Sequence, residues 1–227
     1  MSRPSVRGSS NPALIAVAHG TRSATGQAQI RGLVAAAARR GPDVDMRLAY
    51  VDVQQPRVAD VVAATKDAVV VPLLLSTGYH VRVDIAEAVA GTHFPVTAPL
   101  GPDDVLSDSL RRHLPAGSDA VVLAAAGSSD AQWRADIEGI AGRLGAHVGY
   151  AAGPHPRVAD VVAGLHAAGK RRVAIAAYLL ADGLFYRTLH RAGADTVTPP
   201  LCFDAAVADL VLRRYEAAVL TTAPARL

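Results

Sequence analysis

The segment Tyr50–Val62 reads YVDVQQPRVADVV, and 100 residues later Tyr150–Val162 reads YAAGPHPRVADVV. The shared run PRVADVV is too long to be a coincidence, so the chain contains an internal duplication. The two copies can therefore be compared with each other. Residues that both copies keep are expected to belong to the scaffold, and residues that one copy has lost are expected to carry function.

The duplication extends to both sides of this segment. The sequence VAHGTRS at 17–23 corresponds to AAGSS at 125–129, and LLSTGYHVR at 74–82 corresponds to LLADGLFYR at 179–187. Three polar side chains of the first copy are missing from the second. The pairs are His19 with Ala126, Asp52 with Ala152, and His80 with Phe185. We therefore expect a duplicated fold with one working site, in the first copy.

Short apolar runs alternate with segments of helical spacing in each copy. Ala13–Ala18 and the Val-rich run Val69–Leu75 predict buried strands, and Thr25–Arg40 predicts a helix. Pro56–Thr65 predicts a second helix, with the proline in its first turn. The same alternation restarts at Val121–Ala125. Strands that alternate with helices in this way are typical of parallel sheets covered by helices.

The predicted fold class is therefore α/β, with two similar lobes that arose by internal duplication, each a parallel sheet flanked by helices. We place a disordered tail at 1–12, the lobe with the working site at 13–115, and the lobe with the degenerate site at 116–227. The hydrophobic content of 51% is sufficient for two cores.

Composition excludes several classes of function. The single cysteine, Cys202, allows neither an internal disulfide nor a thiolate metal cage. The net charge of +3, the lack of a Lys/Arg run of the kind that follows a phosphate backbone, and the 4% aromatic content argue against nucleic-acid binding. No apolar stretch approaches the ~20 residues of a membrane span, and the first residues lack the apolar core of a signal peptide. We expect a cytoplasmic protein with no membrane or nucleic-acid partner.

His19, Asp52 and His80 each follow a predicted strand of the first lobe. Ligands of open parallel sheets bind beyond the carboxyl ends of the strands, so we expect the two imidazoles and the carboxylate to meet at one edge. Nitrogen and oxygen donors of this kind form an open metal site with positions left for substrate. The loss of all three residues from the second copy favours this interpretation.

Each of these residues also has a simpler structural explanation. His19 can be a hydrogen-bonding loop residue, Asp52 can cap the helix near Pro56, and His80 can cap or line its own helix. The sequence HGTRS at 19–23 is also compatible with an anion site for phosphoryl transfer. However, Ala18 stands where an Arg-His phosphohistidine site would need arginine, and no phosphate-binding loop motif is present.

Three motifs resemble those of the class II sirohydrochlorin chelatases, the CbiX/SirB family. They are AHGTR at 18–22, VDVQQP at 51–56 and PLLLSTGYHVRVDI at 72–85. The resemblance covers nearly the whole chain and is to the long, two-lobed form. It implies two chelatase-like lobes that face each other across a cleft in a monomer. It also implies insertion of a divalent metal into sirohydrochlorin. The metal residues of the family correspond to His19 and His80, with an acidic partner at Asp52, where many relatives have Glu.

The resemblance implies a lyase with no permanently bound cofactor, which takes sirohydrochlorin and Fe²⁺ or Co²⁺ as substrates. We favour Fe²⁺ and sirohaem biosynthesis, with the cobaltochelatase of cobalamin biosynthesis as the first alternative and a non-catalytic metal or tetrapyrrole carrier as the second. His19, His80 and Asp52 are expected to be catalytic as well as metal-binding. Because the substrate is a polycarboxylate, we expect it to contact cationic groups and exposed amides. The candidates are Arg22, Ser23, Thr77, Gly78, Tyr79 and Arg82.

Overall fold

The computed structural model describes residues 11–76, 79–153 and 155–222, except for the side chains of 79–82. Nearly all of the predicted disordered tail therefore lies outside the described residues, as do Thr77 and Gly78. Among the helices of the described part, none combines the length and the hydrophobicity needed to cross a membrane.

The chain alternates between strands and helices from one end of the described part to the other. The first half contains β1 (Ala13–Ala18), α1 (Ala24–Arg40), β2 (Met46–Tyr50), α2 (Val58–Ala63), β3 (Ala68–Pro72), α3 (Tyr79–Val89) and α4 (Asp104–His113). The second half contains β4 (Ala120–Ala125), α5 (Ala131–Leu144), β5 (His147–Tyr150), α6 (Val158–Ala167), β6 (Val173–Ala177), α7 (Leu184–Leu189), β7 (Thr196–Val197), a short 3-10 helix (Leu201–Phe203) and α8 (Ala205–Thr222).

The strands form two parallel sheets, one for each copy of the duplication. The first sheet has the order β2-β1-β3, and the second has the order β5-β4-β6-β7. In both sheets the first strand of the copy, β1 or β4, lies between the second and the third strands. The second strand is added on one side of it and the third on the other, and a helix lies in each connection. The α/β class and the two duplicated sheets predicted from the sequence are confirmed.

Side chains on the two faces of each sheet enter different apolar clusters. Along β1, Leu14 and Ala16 face inward, whereas Ile15 and Val17 face the outer helices α2 and α3. The inner cluster is continuous between the two sheets, and it contains α1, α4, α5 and α8. A third cluster lies between the second sheet and the helices α6 and α7. The two separate cores expected from the sequence are thus replaced by one shared inner core and two outer ones.

The last helix of each copy packs on the other copy. Helix α8 lies against α1 and β3 of the first lobe, and α4 lies against α5 and β6 of the second lobe. Tyr215 in α8 donates its hydroxyl hydrogen to the carbonyl of Pro12, just before β1, at 2.6 Å. Arg214 donates to the Pro99 carbonyl at 3.0 Å. This exchange of helices ties the two lobes together.

The helix predicted at Pro56–Thr65 begins later than expected. Helix α2 starts at Val58 with Arg57 as its N-cap residue, so the expectation of a proline in the first turn is wrong. The carbonyl of Pro56 instead accepts a hydrogen bond from the Tyr50 N–H at 3.0 Å, as part of an isolated parallel bridge between Tyr50 and Arg57. The second copy repeats the arrangement at Tyr150 and Pro156.

Candidate functional site

The loops that follow β1 and β2 run side by side at the carboxyl edge of the first sheet. The N–H of Val51 donates to the Ala18 carbonyl at 3.0 Å, and the N–H of Asp52 donates to the His19 carbonyl at 2.9 Å. The strand pairing therefore continues into the loops for two more residues. As a result, the structure brings His19 and Asp52 together at the edge where parallel sheets bind ligands.

Gly20 is required for this close approach of the two loops. Its φ of 103° lies in the region that favours glycine, and a Cβ at this position would stand 2.0 Å from the Asp52 carbonyl oxygen. Gly127 repeats the feature in the second lobe, with a φ of 108° and the Ala152 carbonyl oxygen at 2.1 Å. The glycine that both copies keep is thus part of the scaffold, whereas the preceding histidine is found in only one copy.

The carboxylate of Asp52 is solvent-exposed and held by two donors. It accepts a hydrogen bond from the Val53 N–H at 2.7 Å and one from the Arg57 guanidinium at 3.3 Å. The Val53 hydrogen bond lowers the pKa of the Asp52 carboxyl most; desolvation acts in the opposite direction, and Arg57 and His19 add to the lowering. Helix α2 begins at Val58, and neither donor is a main-chain N–H of its first turn. Asp52 therefore does not cap that helix.

His80 lies in the first turn of α3, which follows β3 along the chain. Tyr79 and Arg82 belong to the same turn, and the side chains of all three lie outside the described part, as do Thr77 and Gly78 altogether. The metal ligation of His80 and the substrate contacts of its neighbours therefore stay predictions.

A cavity of about 410 Å³ lies between the two lobes, with His19 at its edge. The β1 and β3 ends of the first lobe line one side, and the loop after β6 together with α7 lines the other. Its lining is mainly apolar and includes Ile30, Leu73, Trp133, Leu180 and Phe185. The cavity can therefore accept a large ligand with an apolar face, with one imidazole available at the rim.

His19 also lines a second recess, of about 590 Å³. Its charged residues are Asp52, Arg57 and two acidic residues of α3, Asp84 and Glu87. The acidic side chains can attract a cation toward His19. Within the described side chains, no group of three His, Cys, Asp or Glu residues is close enough to hold a metal ion.

Two predicted substrate residues are placed away from the cavity lining. Arg22 is exposed and does not line the cavity. Ser23 is buried, and its hydroxyl accepts from the Gly26 N–H at 3.2 Å while donating to the Asp182 carboxylate. Ser23 is thus the N-cap of α1 and a contact between the lobes.

Three residues of the site were missed by the sequence analysis. Gln54 accepts a hydrogen bond from the Thr21 N–H at 2.8 Å and so fixes the loop of His19. Tyr178 and Asp182 reach this region from the second lobe. The comparison of the two copies held a signal for Gln54, which is replaced by Pro154 in the second copy. The contacts of Tyr178 and Asp182 cross more than a hundred residues and have no local signal.

Comparison with known proteins gives both a family match and structural neighbours. The CbiX family model matches residues 13–116 and 120–218. Among solved structures, SirB from Bacillus subtilis with Fe³⁺ is 20% identical, with a TM-score of 0.75 over 91% of this chain and 95% of that one. SirB from Bacillus subtilis subspecies spizizenii in complex with cobalt is 19% identical, with a TM-score of 0.74 over 92% and 96%.

A third similar structure is CbiX, described as the terminal enzyme for biosynthesis of siroheme in denitrifying bacteria. It is 20% identical, with a TM-score of 0.66 over 91% of this chain and 99% of that one. No curated protein sequence matches the chain. At these levels of identity the structural similarities show the fold.

Proposed function

Because the chain belongs to the CbiX family, we propose that it inserts a divalent metal ion into sirohydrochlorin, with Fe²⁺ as the favoured ion and sirohaem as the product. The observation that carries this proposal is the position of His19, which lines both the apolar cleft between the lobes and the recess that contains Asp52. A ligand for the ion and a binding surface for the macrocycle are thereby adjacent.

The chemistry of the cleft supports a tetrapyrrole substrate. The faces of the macrocycle are flat and apolar, and they match the aliphatic and aromatic lining that includes Leu73, Trp133 and Phe185. The carboxylates at the edge of the ring would remain near the open rim, where they keep their hydration. Both walls of the cleft come from one chain, so we also propose that the monomer is sufficient for activity.

The second recess, with its acidic side chains, supports a separate route for the ion. Asp52, Asp84 and Glu87 line this recess, and His19 lines both the recess and the apolar cleft. An ion attracted by the carboxylates would reach the imidazole without crossing the apolar lining. We propose that His80 joins His19 as the second imidazole ligand and that Asp52 balances part of the charge of the ion.

Metal insertion also requires removal of the pyrrole N–H protons. An imidazole can accept a proton near neutral pH, and a neighbouring carboxylate can orient it or pass the proton outward. The lowered pKa of Asp52 keeps its carboxylate charged throughout the neutral range. The site therefore contains both a base and a permanent negative charge.

Iron is preferred over cobalt here because no feature of the chain argues for a cobalt pathway. The observation that favours cobalt as the second candidate is the similar SirB structure in complex with cobalt. Nitrogen and oxygen donors bind both ions, so the donor set leaves both open.

The test is an anaerobic assay with sirohydrochlorin, catalytic amounts of protein, and Fe²⁺ or Co²⁺. The readout is the change in absorption of the macrocycle. Multiple turnovers are expected with both ions, with the faster rate for Fe²⁺. A faster rate with Co²⁺ would assign the protein as a cobaltochelatase. A spectral change that stops at one equivalent would identify a carrier, and an absence of binding would contradict the proposed function.

A further inference from the structure

We propose that Tyr178 and Asp182 of the second lobe are positioning residues for metal insertion: Tyr178 anchors the main chain at Leu75, ahead of His80, and Asp182 anchors the start of α1, shortly after His19. The proposal rests on the proposed function of the site. It assigns a task to the lobe that lost the metal-binding side chains.

Tyr178 anchors the main chain at Leu75, three residues after the end of β3. It directly follows β6, is only 3% exposed, and donates its hydroxyl hydrogen to the Leu75 carbonyl of the first lobe at 2.9 Å. Burial raises the pKa of the Tyr178 hydroxyl, so the group remains a donor at all physiological pH values. Leu75 lies five residues before His80, so the bond fixes a main-chain point ahead of the histidine.

Asp182 holds the beginning of α1, the helix that follows the His19 loop. Its carboxylate accepts from the Ser23 hydroxyl, and its N–H donates to the side-chain carbonyl of Gln29 at 2.6 Å. The Asp182 carbonyl packs so closely on Gly26 that a Cβ there would stand 2.1 Å from the oxygen. Three separate contacts therefore fix the first two turns of α1 against the second lobe.

The residue types at these two positions differ between the copies. Tyr178 corresponds to Leu73, and Asp182 corresponds to Thr77. The second copy thus has a phenol where the first has an aliphatic side chain and a carboxylate where the first has a hydroxyl, and both groups reach across to the first lobe, although the second copy lacks the imidazoles and the acid of the site. This pattern is expected if the second lobe positions the loops of the first.

The test compares Tyr178→Phe with Tyr215→Phe in the full chain. Both tyrosines are buried, and each donates one hydrogen bond to a main-chain carbonyl, but the Tyr215 bond to Pro12 lies away from the cleft. Tyr178→Phe is expected to speed amide hydrogen exchange in the peptide that contains residues 75–85 and to weaken the binding of Co²⁺ alone about tenfold. The KM for sirohydrochlorin should change little. Tyr215→Phe should lower the Tm about as much as Tyr178→Phe does, but without changing exchange at 75–85 or the binding of Co²⁺.

Asp182 is tested with two substitutions. Asp182→Ala removes the acceptor for Ser23 and should speed exchange in residues 19–30 and lower kcat, whereas Asp182→Asn keeps an acceptor and should restore both. If Asp182→Asn behaves like Asp182→Ala, the charge of Asp182 acts directly and its positioning role is overturned.

Equal effects of Tyr178→Phe and Tyr215→Phe on exchange at 75–85 and on Co²⁺ binding would overturn the role of Tyr178. These readouts do not need turnover, so a failure of the proposed function is distinguishable from a failure of this proposal. A wild-type protein without chelatase activity refutes the former, while the exchange pattern still decides whether the loops are held from the second lobe.

Discussion

The main chains of His19 and Asp52 are joined by a hydrogen bond, in which the Asp52 N–H donates to the His19 carbonyl at 2.9 Å. The bond continues the pairing of β1 and β2 past the ends of the strands, and Gly20 makes the approach possible. The imidazole and the carboxylate of the candidate site are therefore placed by the scaffold itself. Side-chain substitutions at these positions should change chemistry with little effect on the fold.

Replacement of His19 by alanine should abolish metal insertion. We expect turnover to fall by at least about a hundredfold, the scale of losing a positioned acid–base group. The Tm should stay within the experimental error, because the side chain is exposed. The matched control is His147→Ala, an exposed histidine in β5 outside both cavities. Normal turnover by His19→Ala would remove His19 from the mechanism.

Replacement of Asp52 by asparagine should lower turnover without changing the shape of its pH profile. The pKa of Asp52 lies below its usual range, so its carboxylate is already ionised across the range in which the assay is run. We expect a loss of about ten- to a hundredfold at every pH between about 6 and 8, as for a residue that supports a ligand. The measurement is the initial rate as a function of pH. A shift of the acid limb in Asp52→Asn would show that Asp52 itself titrates there.

Replacement of Gly20 by alanine should damage both the fold and the site. The positive φ and the Asp52 carbonyl at 2.0 Å from an added Cβ together predict a loss of more than about 2 kcal/mol in the free energy of unfolding. Gly32→Ala is the control, because this position in α1 has open space around it and alanine should add about 0.5–1 kcal/mol. Urea denaturation measures both, and a stable, active Gly20→Ala variant would contradict the loop geometry described here.

Replacement of Asp204 by asparagine should destabilise the attachment of α8. The side chain is 9% exposed, accepts from the Ala206 N–H at 2.9 Å, and pairs with Arg112 of α4 at 2.6 Å. The net effect of the surroundings is to lower the pKa of the Asp204 carboxyl. Burial acts to raise it, but the hydrogen bonds from Arg112 and the other donors outweigh burial. We expect a loss of about 1–2 kcal/mol at neutral pH.

The sign of the pH dependence follows from this lowered pKa. The stabilisation is present above the unfolded-state pKa of about 3.9 and is lost as the pH falls through the lower folded-state value. The difference between the wild type and Asp204→Asn should therefore shrink below about pH 4. Asp209→Asn is the control, since its exposed pair with Arg40, also at 2.6 Å, should contribute less than about 1 kcal/mol. Equal losses in the two variants would contradict the role of burial.

Much of the fold was predictable because its signals are local. The strand at Ala13–Ala18 has the predicted bounds, and the helix predicted at Thr25–Arg40 begins only one residue earlier, at Ala24. The start of α2 was not predictable in the same way. Pro56 has the residue type expected of a helix start, but its carbonyl accepts the Tyr50 N–H in an isolated bridge, and the helix begins two residues later.

The site was predictable only where it depends on strand ends. The rule that ligands gather at the carboxyl edge of a parallel sheet places His19 beside Asp52. Ser23 was a candidate contact for the polycarboxylate substrate that the family resemblance implies, whereas its hydroxyl is engaged by Gly26 and by Asp182, a residue 159 positions away. Contacts between residues this distant depend on how the two lobes face each other, and no spacing within a single lobe contains that information.

The exchange of α4 and α8 between the lobes has a consequence for how the chain is made. The inner face of the first sheet is covered in part by α8, so that face remains incompletely covered while the ribosome is still translating the second half. During translation, the first lobe therefore cannot complete its packing before the second lobe has emerged. For the same reason, a gene split at the middle of the duplication would yield two halves that each lack a covering helix, and recovery of an independent single lobe would require new surface residues.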